Sequence, residues 1–105
     1  MAAQMLESRT GMATRWRRRR MCVLIADVPA PAALRQVSAA GAFLETNARP
    51  PLGTAVELRH PDAGTIVGEV RLIADDGVGI GFECGERSVA FALAAIAADM
   101  SRPAA

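Results

Sequence analysis

The sequence predicts a mainly β fold: a six-stranded antiparallel β-barrel, closed on itself, with one α-helix packed on it at the C-terminal end. Three observations carry this expectation. Between Met21 and Cys84, short apolar stretches are separated by clusters of Gly, Pro, Asn and Asp, the texture of strands and turns. Two of these stretches alternate cleanly with a period of two, and only the final segment changes to a helical period. Strands in unbroken succession followed by a single helix argue for an antiparallel barrel, because parallel sheets need helices between their strands. At 105 residues and 51% hydrophobic content the chain bounds one domain with one core.

The elements follow in order. Residues 1–14 show no sustained period and read as a flexible tail. Met21 to Ala26 is the first strand, ended by Asp27-Val28-Pro29-Ala30-Pro31, since proline cannot donate to a ladder. Ala33 to Val37 is the second. Ser38-Ala39-Ala40-Gly41 makes a tight turn or bulge, and Ala42 to Thr46 is the third strand. After the Pro50-Pro51 loop, Thr54 to Arg59 alternates, with Val56 and Leu58 inward; His60 then belongs to an exposed turn. Thr65 to Ile73 is a long fifth strand. In the sixth, Val78, Ile80, Phe82 and Cys84 share one face, and Gly79 and Gly81 the other, so something packs closely there or the strand bends. From Glu86 to Met100, Val89, Leu93, Ile96 and Met100 form one stripe of an amphipathic helix, with Ala92 and Ala97 beside it. Residues 101–105 are a short C-terminal tail.

Composition excludes several functions. No apolar run reaches the roughly 18 residues of a membrane span, and Arg17 to Arg20 precedes too short an apolar stretch for a signal peptide. The chain therefore reads as cytoplasmic, with Cys22 and Cys84 reduced and acting as small core hydrophobes. Two cysteines and one histidine assemble neither a zinc motif nor a nucleophile–base pair, so an enzyme and a metal site are both disfavoured. Four aromatic residues cannot build a platform for single-stranded nucleic acid. Charge is uneven. Residues 1–20 hold six arginines against Glu7, a net +5, and the remainder carries a net −4. A basic arm on an acidic body points to an anionic ligand. Nonspecific nucleic-acid binding would need only that arm.

Residues 15–100 resemble a PilZ domain, the bacterial receptor module for cyclic di-GMP. The resemblance rests on an ordered set. Arg15-Trp16-Arg17-Arg18-Arg19 matches the family's RxxxR element, and Gln36-Val37-Ser38-Ala39-Ala40-Gly41 matches [D/N]xSxxG except at its opening position. Gly41-Ala42-Phe43-Leu44-Glu45-Thr46, Pro51-Leu52-Gly53-Thr54-Ala55-Val56-Glu57-Leu58 and Gly79-Ile80-Gly81-Phe82 follow in the family's order. The resemblance implies a split-barrel type of fold, with an Arg-rich arm at 15–20, the barrel at 21–84 and the helix at 86–100.

It also implies a site. Arg15 and Arg19 would pair two donors with a phosphate or with guanine O6 and N7. A second register is open, in which Arg20, directly before the first strand, takes the later place with Trp16 four residues earlier. Ser38 would offer a hydroxyl, and Gly41 would let backbone approach closely. Gln36 stands where the family has Asp or Asn, keeping an amide and adding a methylene, a displacement of about 1.5 Å. The expectation is a non-enzymatic receptor without cofactor, monomeric or dimerising on ligand, whose arm orders over cyclic di-GMP and is then read by a protein partner. The alternative is a PilZ-like interaction module that does not bind the nucleotide.

Overall fold

The computed structural model describes residues 20–100. Six strands precede one helix: β1 (Met21–Ile25), β2 (Pro29–Ser38), β3 (Gly41–Glu45), β4 (Ala55–His60), β5 (Gly64–Ala74), β6 (Gly77–Phe82) and α1 (Glu86–Met100). Each neighbouring pair is antiparallel, and the order β1-β2-β3-β6-β5-β4 closes because β4 also pairs with β1. Closure leaves no sheet edge to be covered. The expected mainly β class, a six-stranded barrel with a C-terminal helix, is the architecture observed.

Alternation places the core. Cys22 and Leu24 of β1, Ala42 and Leu44 of β3, and Val56 and Leu58 of β4 point inward with Val70, Val78, Ile80 and Phe82. Leu24, Leu44 and Leu58 are almost wholly enclosed, each contributing roughly 1.5–3 kcal/mol by leaving water. Burial also pushes the Cys22 thiol up to about 11, against a smaller opposing effect of Arg20, so it stays protonated and inert.

Several expectations are corrected. The expected break at Asp27 to Pro31 is shorter, because β2 starts at Pro29 and pairs Pro29 with Ile25 and Pro31 with Val23. The prolines are tolerated because β3 pairs with β2 only from Ala33 onward. The Pro31 carbonyl faces that vacant side, where it accepts from Thr46 Oγ1 at 2.8 Å, and no ladder N–H is required of Pro31 there. The sixth strand ends at Phe82, so Cys84 lies outside it and is exposed. His60, expected in an exposed turn, is the last residue of β4 and is buried.

The helix is corrected at its face. Val89, Leu93, Ile96 and Met100 are the exposed side of α1, with Leu93 at 63% and Met100 at 77% exposure. The buried side is Ser88, Phe91, Ala92 and Ala95. Phe91 decides the orientation, meeting Phe82 and His60 edge to face at 5.7 Å and 5.9 Å between ring centroids. Ser88 Oγ accepts from the Gly85 N–H at 3.0 Å and donates to the Gly85 carbonyl at 3.1 Å, which closes the first turn. Among the described residues, no helix is long and apolar enough to cross a membrane.

Candidate functional site

Two residues stand out of register in the barrel wall. The β2–β3 pairing shifts between Leu34 and Gln36, and the β5–β6 pairing shifts between Val70 and Leu72. Each shift leaves an arginine, Arg35 or Arg71, as the extra residue of a bulge on the barrel's outer surface. Between the two bulges, β3 and β6 lie side by side with Gly41 opposite Gly81 and Phe43 opposite Gly79.

A groove of about 700 Å³ crosses this surface. That is within the roughly 300–1,000 Å³ of small-molecule sites. Gln36 and Ser38 of β2 form one side, Arg71 and Leu72 of β5 the other, and Gly41, Gly79 and Gly81 lie between them. The glycines make the floor shallow for different reasons. At Gly41 any Cβ would collide with the Ile80 carbonyl oxygen, so only glycine lets β3 and β6 approach at this point. At Gly79 and Gly81 the bare outer face is overlaid by neighbouring side chains. A Cβ on Gly79 would lie 3.1 Å from Leu72 Cβ, and one on Gly81 2.9 Å from Arg71 Cζ. The close packing expected over these two glycines is thus supplied by β5.

Ser38 pairs with Gly41 across the two-residue turn Ala39-Ala40. Its Oγ accepts from the Ala40 N–H at 3.1 Å, which holds the turn and leaves the hydroxyl proton to donate elsewhere. The Ala40 carbonyl accepts from the Phe82 N–H at 2.9 Å and fixes the turn to the end of β6. Turn chemistry and a ligand-facing hydroxyl are compatible at this serine. Gln36, exposed on the same strand, also lines the groove.

The two bulge arginines differ in their electrostatics. Arg35 donates to Glu45 Oε2 at 3.0 Å and to Asp76 Oδ2 at 2.9 Å, and its guanidinium lies 4.2 Å from the centroid of the Phe43 ring. The Arg35 hydrogen bond holds the Asp76 carboxyl below its ordinary range, and the same bond raises Arg35 above its own. Arg35 is therefore neutralised locally. Arg71 makes no hydrogen bond or ion pair with any described residue, so its charge is available to the groove.

Of the residues singled out by sequence, Gln36, Ser38 and Gly41 are brought together in this groove. Arg20 is directed elsewhere. Its carbonyl accepts from the Leu34 N–H at 3.0 Å, while its guanidinium pairs with Asp62 at 3.3 Å and donates to the Ala98 carbonyl at 3.4 Å near the end of α1. Arg15, Arg19 and Trp16 lie outside the described residues. Arg71 and Leu72 were missed by sequence reasoning. Their one signal, the bare Gly79 and Gly81 across the pairing, showed that something would lie there without naming it. Among the described residues, no cluster of three or more His, Cys, Asp or Glu side chains is arranged to hold a metal ion. The chain matches no protein family, no curated protein and no solved structure in the comparisons made.

Proposed function

We propose that this protein is a non-enzymatic receptor for cyclic di-GMP, with the ligand held between the outer groove of the barrel and the Arg-rich arm. The observation that carries the reading is the convergence of Gln36, Ser38 and Gly41 in one groove of small-molecule size. These are the barrel residues of the PilZ-like motif, and the arm motif lies just before β1 in sequence. Leu34 stands opposite Arg20, and Gln36 and Ser38 lie further along β2, past the point where β1 begins. The chain thus enters the barrel at the end that carries the groove.

The chemistry is that of a ligand with two phosphates and two guanines. Arginines of the arm neutralise phosphate or fork onto guanine O6 and N7, while the Ser38 hydroxyl and Gln36 amide meet polar edges. Ordering an arm costs about 1–2 kcal/mol per residue, so several charge-assisted bonds are needed to offset it. The ordered arm is then a new surface for a protein partner in bacterial second-messenger signalling.

A second reading, a barrel module that binds protein and not nucleotide, is favoured by Gln36 in place of Asp or Asn and by the exposed apolar side of α1. Calorimetric titration with cyclic di-GMP, with GTP as control, separates the two. Saturable binding that GTP does not reproduce is expected, and Ser38→Ala abolishes it without unfolding the barrel. A flat titration on folded protein selects the second reading, and Gln36→Asp then tests whether the added methylene is the defect.

A further inference from the structure

We propose that Trp16 is seated on the exposed apolar side of α1, against Ile96 and Met100, and so latches the arm to the helix in the free chain. The inference is independent of the receptor reading, since the contact needs no ligand. Val89, Leu93, Ile96 and Met100 follow one another at intervals of four, three and four residues, and therefore line one side of α1. All four are exposed, Ile96 at 41% and Met100 at 77%, and the exposed Ala97 lies beside them. A contiguous apolar stripe of this kind, unlike a scattered exposed leucine, calls for an occupant.

The arm joins the barrel beside the last turn of this helix. The Arg20 guanidinium donates to the Ala98 carbonyl at 3.4 Å, and Ala98 lies midway between Ile96 and Met100 in α1. Trp16, the one aromatic residue of 1–19, is four residues before Arg20, a span of up to about 14 Å of extended chain. Ile96 and Met100 are only about 6 Å apart along the helix axis, so one indole covers both. Charge selects this occupant over a second copy of α1. Glu86 and Asp99 stand three residues from Val89 and Ile96 and border the stripe, whereas Arg87, two residues from Val89, does not. Two such stripes face to face would bring carboxylates together in either orientation. The last turn of α1 holds no basic residue, so Asp99 adds to the negative end of the helix dipole. Trp16 lies between Arg15 and Arg17, with Arg18 and Arg19 following, and seating it brings cations to that end. The Met100 thioether against the indole is a favourable contact in its own right. The seated indole covers part of the side of α1 open to a protein partner, so the latch and such a partner exclude each other.

Trp16 is the only tryptophan of the chain and there is no tyrosine, so intrinsic fluorescence reports this side chain. The test is the emission maximum and acrylamide quenching of the full chain without ligand, comparing the wild type with Ile96→Ser, Met100→Ser and Val89→Ser, each checked to be folded by circular dichroism. Wild-type emission is expected to lie to the blue of that in urea and to be protected from the quencher. Ile96→Ser and Met100→Ser each move it to the red and raise quenching toward the value of the urea-unfolded chain. Val89→Ser, about 10 Å from Ile96 along the helix, leaves both unchanged. Met100→Ser, at the more exposed position, decides the matter if Ile96→Ser perturbs the fold. Wild-type emission at the urea position overturns the latch. Protected emission that neither substitution moves seats Trp16 elsewhere and overturns it too. Protection lost on dilution, with a matching change in sedimentation, assigns the seat to the indole of a second copy and overturns the latch within one chain.

Discussion

His60 illustrates how one buried side chain ties stability to pH. Its Nδ1 accepts from the N–H groups of Asp62 and Ala63, both at 3.0 Å, so the ring organises the turn between β4 and β5. Two donors at Nδ1 require the neutral ring with its proton on Nε2, which is buried without an acceptor. Burial holds the histidine below its ordinary pKa. The Asp62 carboxylate opposes that shift, Arg20 reinforces it, and Phe91 contributes an apolar wall. As pH falls through about 6.5, the unfolded chain takes up a proton that the folded chain resists, so stability declines on the acid side and is flat above it. Each unit by which the pKa is depressed costs about 1.4 kcal/mol once both states are titrated. The urea midpoint is therefore expected to fall between about pH 7.5 and about pH 5.5. His60→Asn keeps an acceptor and removes the titration. It lowers the midpoint overall but flattens that slope, and an equal slope in the variant would assign the acid loss to another group.

At the scale of the element, the helix shows what periodicity can and cannot decide. Strand faces were legible because the pleat allows two faces only, and in the alternating stretches one of them is apolar: Val56 and Leu58, or Val78, Ile80 and Phe82, all of which are buried. In α1 two stripes satisfy the helical period equally. Val89, Leu93, Ile96 and Met100 form the more hydrophobic one, and Ser88, Phe91, Ala92 and Ala95 form the other. The second is buried because it carries the one large aromatic, flanked by small residues that let the helix sit close, and a serine engaged in capping. Hydrophobicity alone could not select it. The consequence is measurable. Phe91→Ala removes contacts with Phe82 and His60 and is expected to cost about 3–5 kcal/mol. Leu93→Ser, on the exposed stripe, is expected to change stability by less than about 0.5 kcal/mol. Chemical denaturation of both variants checks this, and the reverse ranking would mean that α1 is seated on its other face.

Across the whole molecule, legibility follows distance in sequence. Gln36, Ser38 and Gly41 were identifiable because one hairpin carries them, and the turn that joins β2 to β3 brings them to the groove without help from the rest of the fold. Arg71 was not, because its place near Ser38 and Gly41 depends on β6 lying beside β3, a pairing between strands far apart in sequence that only the barrel defines. The same fold bears on which arginine register the receptor reading should use. Arg20 is fixed between Asp62 and Ala98, where a partly exposed ion pair contributes about 1 kcal/mol or less. Recruiting it to the groove would break both contacts, so the Arg15 and Arg19 register is the one expected to bind. On the receptor reading, residues 1–20, with a net +5 against a net −4 over the rest of the chain, would supply most of the attraction for an anionic ligand in either register. In the full chain, Arg15→Ala and Arg19→Ala together are expected to abolish cyclic di-GMP binding without shifting the melting transition. Arg20→Ala should lower that transition slightly and leave affinity near the wild-type value. Binding by the wild type should also weaken as salt is raised, because exposed charges are screened beyond about 8–10 Å near physiological ionic strength. Loss of affinity in Arg20→Ala with retention in the double variant would move the site to Trp16 and Arg20, and would require the ligand to displace Asp62 from its arginine.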